Sequence, residues 1–254
     1  MAKRSLLTEL AKTAESYLSV EQELIAELFW PTRCVICDTP GKILCDTCRR
    51  SLPYLDRWSA CEICGAPWGG TVCTECNTFT LHRMGRTSVP FDECRNAVLY
   101  KESGKKLVRA YKDQGQQQLA ETISELMVNC IEPRWLRENP AIVAIPTSRK
   151  SLAKRGFDHM QLVAERVSRQ TGLPRFEPFL APESKDQRKL DRAGRFDNMR
   201  KVLRVREEWK DSVYPSVLLI DDVLTTGATL FAAAEALKEQ GAQQVYGLTF
   251  ARVP

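Results

Sequence analysis

Eight of the ten cysteines stand in four C-x-x-C pairs: Cys34 and Cys37, Cys45 and Cys48, Cys61 and Cys64, Cys73 and Cys76. C-x-x-C lets two thiolates from one tight knuckle reach a single ion, and two knuckles close a tetrahedral four-sulfur shell. The four pairs therefore hold one or two structural zinc ions. Seven residues separate the first two pairs and eight separate the last two. Consecutive pairing is the simplest arrangement; spacing leaves interleaved pairing, or one filled site with leftover thiols, open. A segment so short and so poor in aliphatic residues has little core of its own, so metal binding and folding are one event there. Disulfides are the competing use of clustered cysteines, but they belong to exported chains. The N-terminus, MAKRSLLTELAKTAESYL, breaks its apolar residues with charges and builds no signal-peptide core. A redox C-x-x-C needs a strand-helix context that none of the pairs has. Closed four-sulfur sites do no chemistry, so function must be sought elsewhere in the chain.

At 254 residues, 43% of them hydrophobic and 27% charged, the chain has material for a real core. No apolar stretch approaches the ~20 residues that cross a bilayer, so the expectation is a cytoplasmic protein without a membrane span. Three parts are expected. Residues 1–32 form an N-terminal helical segment, with helical spacing over 5–30, an apolar face at Leu24, Ile25, Leu28, Phe29 and Trp30, and Pro31 as its stop. Residues 33–80 form the double zinc ribbon. Residues 85–254 alternate strand-like runs (NAVLY, AIVAIP, SVLLI, QVYGLTFA) with helical patterns over 105–130, 151–171 and 229–240. That alternation predicts the α/β class, a parallel sheet covered by helices. Cys130 continues the stripe Leu119, Ile123, Leu126, Met127 as a small buried hydrophobe, and Cys94 precedes the first strand.

The stretch VLLIDDVLTTGATL, residues 217–230, carries the chemistry. An apolar run suited to a buried parallel strand leads into two adjacent carboxylates, then a Thr/Gly-rich turn, then a helix. In open α/β sheets ligands bind at the carboxyl ends of the strands. Thr225, Thr226, Gly227, Ala228 and Thr229 offer hydroxyls and backbone N–H groups at a helix start, where a phosphate is favoured. Adjacent carboxylates repel unless something compensates. A vicinal diol can donate to Asp221 and Asp222, and Mg²⁺ can share the site. Diol and phosphate together describe a ribose 5-phosphate.

Charge is concentrated. Residues 185–206 hold nine Lys/Arg against three Asp, a local excess above the chain's net +5. Such a run is either a solvated face or a receiver for pyrophosphate or a nucleic-acid backbone.

The 217–230 stretch resembles the phosphoribosyl pyrophosphate (PRPP) signature of type I phosphoribosyltransferases. The resemblance implies that Asp221 and Asp222, the candidate catalytic pair, hold the ribose diol and that Thr225 to Thr229 hold the 5-phosphate, with Mg²⁺ accompanying PRPP. It places a pyrophosphate loop in AIVAIPTSRKSLAKRGF, with Arg149, Lys150, Lys154 and Arg155 as candidate phosphate partners. The order of the double ribbon, RAYKDQG, IPTSRKSLAKRGFDHMQLVAE, QRKLDRAGRFDNM and the PRPP stretch resembles the ComF family over nearly the whole chain. Within those segments Lys112, Gln187, Arg195 and Asn198 occupy motif positions. Asp158 and His159 depart from the family's usual Asn-Gln; His159 is expected on a helix surface or beside the site, not as a general base. The resemblance implies an accessory of DNA uptake in transformation that binds single-stranded DNA beside a DNA-uptake helicase. Arg192, Arg195 and Arg200 are candidate backbone contacts, and Trp58, Trp68 and Phe79 candidate stacking platforms. An active transferase with an unidentified acceptor is the alternative, and a PRPP-sensing regulator a third. No C-terminal hood follows the last strand, so an acceptor pocket must come from residues upstream.

Overall fold

The computed structural model describes residues 31–83, 85–182, 199, 202–209 and 214–254. The N-terminal helical pattern over 5–30 lies outside them, as do Gln187, Arg192, Arg195, Asn198 and Arg200. The chain divides between Arg50 and Ser51 into two compact units, a boundary that falls between the two pairs of cysteine knuckles.

In the first unit, the turn after Cys34 closes through the Cys34 N–H to the Thr39 carbonyl at 2.9 Å and an antiparallel bridge from Arg33 to Pro40. The short helix α1 (Asp46–Arg50) starts directly after Cys45. Backbone N–H groups of Cys45 and Cys48 point at sulfurs, reaching Cys34 Sγ at 3.5 Å and Cys45 Sγ at 3.4 Å.

The second unit is built on four parallel strands: β1 (Glu93–Leu99), β2 (Ala141–Ala144), β3 (Ser216–Leu224) and β4 (Gln244–Arg252), in the spatial order β1-β4-β3-β2. The α/β expectation holds, and each strand covers one of the apolar runs. Val217 to Ile220 in β3 are 0% exposed, as a strand covered on both faces requires. Each such side chain stabilises by roughly 1.5–3 kcal/mol relative to leaving it in water.

Two expected helices are each split. The 105–130 pattern is α3 (Glu102–Lys112) and α4 (Leu119–Val128), with a turn through Gly115 between them. Cys130 lies beyond the end of α4, half-buried, its Sγ 3.3 Å from the Leu126 carbonyl. After α5 (Pro133–Arg137), the 151–171 pattern is α6 (Arg149–Arg155) and α7 (His159–Thr171), parted at Gly156. Asp158 caps α7 by accepting from the N–H groups of Met160 and Gln161, which supplies two of that helix's unpaired donors. The final helix, α8 (Ala228–Glu239), runs close to its expected limits. Among the described residues no helix is long and apolar enough to cross a membrane.

Strand alternation assigns the two faces of the sheet. Ala141, Val143, Val217 and Leu219 share a core cluster with α8 and with the second pair of knuckles, through Cys61, Cys64, Ala66, Leu81 and Phe91. The even-numbered positions point the other way, where α4 contacts β4 and α7 contacts β2. The second ribbon thus acts as a covering layer of the sheet, followed by the short helix α2 (Thr78–Arg83). Polar ties hold it to β1. Asn96 Nδ2 donates to the Gly65 carbonyl at 2.9 Å, while Thr249 Oγ1 donates to Asn96 Oδ1 at 2.5 Å. Gly65 has φ +65°, and a Cβ there would lie 2.2 Å from Asn96 Nδ2, so glycine is required on both counts. Glu132, buried, accepts from Arg57 Nη2 and Arg95 Nε at 2.9 Å each and joins the ribbon, β1 and the segment before α5.

Candidate functional site

The four sulfurs of Cys34, Cys37, Cys45 and Cys48 lie within 4.8 Å of one another, and so do those of Cys61, Cys64, Cys73 and Cys76. Consecutive pairing is therefore the arrangement found. Cys61 and Cys76 Sγ are 3.6 Å apart, Cys64 and Cys73 Sγ 3.5 Å, and Cys37 and Cys45 Sγ 3.7 Å. Two sulfurs bound at ~2.3 Å to one tetrahedral ion stand ~3.8 Å apart, so both clusters fit zinc, whereas a disulfide needs ~2.05 Å. Cys94 belongs to neither. It is fully buried in β1, and burial pushes its thiol up to about 12.

A cavity of about 460 Å³ opens at the carboxyl ends of β2 and β3. Asp221 and Asp222 line it from the carboxyl-terminal half of β3, which runs on past them to Leu224, so the carboxylates sit in the strand itself. Asp221 pairs in register with Thr249, and Val223 with Ala251. Strand geometry sends adjacent side chains to opposite faces, and the two aspartates accordingly meet different surroundings. Asp221 Oδ1 accepts the Asp222 N–H at 2.8 Å. Burial, and then the neighbouring Asp222 charge, push its carboxyl up to about 8. Asp222 Oδ1 accepts the Val223 N–H at 2.8 Å, and Oδ2 accepts from Lys112 Nζ and from His159 Nε2, the latter at 3.1 Å. Burial opposes its charge, but Lys112 and His159 outweigh that effect and hold the carboxyl well below the ordinary range. The same ion pair raises the Lys112 ammonium against its own burial.

His159 is buried at the first position of α7, beneath the carboxylates and away from any helix surface. Its Nε2–H faces Asp222; its Nδ1 faces Thr147 Oγ1 at 3.2 Å and Arg155 Nη1 at 3.3 Å. Thr147 also donates to Asp158 Oδ1 at 3.0 Å, leaving Arg155 as the donor to the imidazole. A proton on Nε2 donated to Asp222, with Nδ1 accepting from Arg155, accounts for both of these hydrogen bonds. Asp158 thus caps the helix, and His159 holds Asp222 through Nε2.

The Thr/Gly turn borders the cavity unevenly. Thr225 and Thr229 line it, whereas Thr226, Gly227 and Ala228 build the turn. Thr226 Oγ1 accepts the Ala228 N–H at 3.4 Å, and Gly227 caps α8 with φ +81°. Of the four basic candidates in the preceding loop, Arg155 lines the cavity, while Arg149, Lys150 and Lys154 are exposed on α6 outside its lining. Thr147, Ser148 and Ser151 line it instead. These hydroxyls carry no charge and were not among the expected phosphate partners. The signal was legible: Ser148 is the N-cap of α6, its Oγ accepting the Ser151 N–H. Lys112 reaches Asp222 from α3, as its motif position in RAYKDQG suggested.

Comparison with known proteins gives three matches. The double zinc ribbon domain model matches residues 25–77. Competence protein ComFC of Bacillus subtilis (strain 168) is 24% identical over 224 residues, covering 82% of this chain and 89% of that protein. Competence protein F of Haemophilus influenzae (strain ATCC 51907 / DSM 11121 / KW20 / Rd) is 25% identical over 150 residues, covering 56% of this chain and 66% of that protein. Two four-cysteine clusters preceding a parallel α/β sheet, with these relatives aligned along it, make the chain similar to the ComF competence proteins over most of its length.

Proposed function

We propose that the cavity binds PRPP with Mg²⁺ and that the protein serves in the handling of single-stranded DNA during transformation. The observation that carries the first half is the convergence, in one cavity, of Asp221, Asp222, Thr225, Thr229 and Arg155. The carboxylates suit a ribose diol, the Thr/Gly turn its 5-phosphate, and Arg155 with Thr147, Ser148 and Ser151 the pyrophosphate. The donor set also fits Mg²⁺, since two carboxylates on one cavity wall are oxygen ligands for a hard cation that keeps part of its water shell. Bound Mg²⁺ would supply charge neutralisation to the pyrophosphate. Asp221, pushed up to about 8 by burial and the Asp222 charge, would regain its charge beside a bound cation. Lys112 compensates Asp222 until the ligand arrives.

The transformation role rests on the relatives, both of which are named as competence proteins. DNA contact is supported by three exposed aromatic rings in the second unit, each beneath a cation. Arg57 lies 5.3 Å from the Trp58 ring, Lys101 Nζ 5.6 Å from that of Trp68, and Arg83 5.9 Å from that of Phe79. Rings offered for stacking next to positive charge suit bases on a single-stranded backbone. Arg192, Arg195 and Arg200 remain part of this reading as backbone contacts, and a DNA-uptake helicase as the partner.

Calorimetric titration of Mg–PRPP into wild type and into the Asp221→Asn, Asp222→Asn double variant tests the site. Binding in the first and none in the second is expected; equal binding in both would overturn the assignment. For DNA, affinity for a single-stranded oligonucleotide should fall steeply with salt and weaken on Trp58→Ala plus Trp68→Ala. Insensitivity to both would sink that half.

A second reading, transfer of ribose 5-phosphate to an acceptor, is favoured by the rest of the cavity wall. Tyr100, Val108, Asp113 and Ile145, all from upstream of β3, also line it and are not assigned to PRPP. Pyrophosphate release that requires a candidate acceptor and disappears in the double variant is its test. Release with none of a broad panel of nucleobases and amines would count against turnover.

A further inference from the structure

Arg252, the last residue of β4, joins the second cysteine cluster to the turn that borders the cavity. Its side chain is only 5% exposed, and Nη1 donates to the Thr225 carbonyl at 3.2 Å. Nη2 lies 3.8 Å from the Glu75 carboxylate, and Nε has no hydrogen-bond partner among the described residues. Glu75 belongs to the Cys73–Cys76 knuckle itself, where its backbone N–H donates to Cys73 Sγ at 3.4 Å. The backbone of Arg252 is fixed beside the start of the turn: it pairs with Leu224, and the Val253 N–H donates to the Leu224 carbonyl at 3.0 Å. A continuous path therefore runs from a sulfur of the metal shell through Glu75 and Arg252 to Thr225.

A buried guanidinium needs a carboxylate or carbonyl partner, because an uncompensated buried charge is costly. Among the described residues the carboxylate within 4 Å of Arg252 is Glu75. The backbone of Glu75 is tied to a sulfur of the knuckle, so closure of the knuckle around a metal would fix its position. We infer that Arg252 is a positioning residue through which zinc in the second cluster sets the geometry of Thr225, so that metal loading and phosphate binding in the cavity are coupled. The inference rests on the reading of the cavity as a ribose 5-phosphate site. With the cluster loaded, Glu75 neutralises Arg252 and the guanidinium holds the Thr225 carbonyl. With the cluster open, Glu75 leaves with its knuckle and the turn loses that tether. Coupling of this kind is reciprocal: a ligand that orders the turn must retain the zinc by the same factor by which zinc favours the ligand.

The test measures both directions on the full-length, zinc-loaded protein. Zinc release to a colorimetric chelator is followed with and without Mg–PRPP, and PRPP affinity is measured by calorimetry, for wild type, Glu75→Gln, Arg252→Met and Arg252→Lys. Mg–PRPP is expected to slow zinc release several-fold in wild type. Glu75→Gln should retain its full zinc content and circular dichroism but lose the slowing, with PRPP affinity down about 5- to 10-fold, the lower part of the usual coupling range. Arg252→Lys should recover part of what Arg252→Met loses. Because Arg252 is buried and its Met variant can misfold, the decisive comparison is Glu75→Gln, at a half-exposed carboxylate. Absence of PRPP binding in wild type would overturn the cavity reading and the coupling with it. Binding and slowed zinc release unchanged in Glu75→Gln would overturn the coupling alone.

Discussion

Asp221 and Asp222 are neighbours in the chain and opposites in ionisation. Asp222 bonds directly to Lys112 and His159, whereas Asp221 feels Lys112 only at longer range, too weakly to offset its burial and the Asp222 charge, and the resulting shifts have opposite signs. Folding raises the Asp221 carboxyl from 3.8 to about 8, so the folded state binds its proton more tightly than the unfolded chain does. Its contribution to stability is then lost as pH rises from about 4 towards 8. Asp222, held below its ordinary value, contributes stability that is present above about pH 4 and lost as pH falls through the acid range. Asp221→Asn should therefore stabilise the ligand-free protein by about 1 kcal/mol at pH 8, with the gain shrinking towards pH 4. Asp222→Asn should destabilise it at pH 7 by roughly 1–3 kcal/mol, because Lys112 keeps its burial and loses its partner. Urea unfolding of both variants at pH 5, 7 and 8.5 checks the signs; an Asp221→Asn effect independent of pH would refute the account. A third residue-scale prediction concerns Asp158. Asp158→Ala removes the side-chain acceptor for two N–H groups of α7 and should cost about 1 kcal/mol, whereas Asp158→Asn, which keeps an acceptor oxygen, should cost much less.

At the scale of elements, the turn between β3 and α8 depends on one backbone conformation. Gly227 sits at φ +81°, and a Cβ there would meet the Phe231 ring at 3.1 Å. Gly227→Ala should destabilise by about 1–3 kcal/mol and weaken ligand binding more than any single exposed cation of α6, since it displaces the whole turn. Thermal melts beside PRPP titrations of Gly227→Ala and Lys150→Ala make the comparison. The splits in the two long helical patterns serve the same site. The break at Gly115 follows the end of α3 at Lys112, and the break at Gly156 starts α7 at His159, so each interruption ends or begins a helix at a residue that contacts Asp222. An unbroken helix would carry those side chains past the carboxylate. The expected helices ran through both breaks, although the polar run from Asp113 to Gln118 and the glycine at Gly156 mark them in the sequence.

At the scale of the molecule, the two cysteine clusters differ in what depends on them. Cys61 and Cys64 share a core with Val143, Val217 and Leu219 of the sheet and Phe231 of α8, whereas Cys34 to Cys48 lie in the other compact unit. Cys64→Ser should therefore lower the main thermal transition by many degrees and promote aggregation, while Cys37→Ser should remove about one zinc per chain with a far smaller effect on that transition. Elemental analysis and circular dichroism melts of the two variants measure this directly. Equal effects on the main transition would show that the second ribbon does not stabilise the sheet in the way its packing implies.

Much of this was legible in the sequence, and the boundary is physical. Local spacing determined the knuckles, the four strands and the strand-turn-helix with its paired carboxylates, because each follows from the geometry of a few consecutive residues. Tertiary structure decided what depends on residues distant in sequence. It chose consecutive over interleaved cysteine pairing, set Lys112 and His159 on Asp222 across separations of 110 and 63 residues, and gave neighbouring aspartates opposite ionisation. It also left three of four basic candidates outside the cavity and brought in hydroxyls from the same loop. Charge and periodicity are properties of the chain; burial and proximity, which set what a charge is worth, exist only once the chain has closed on itself.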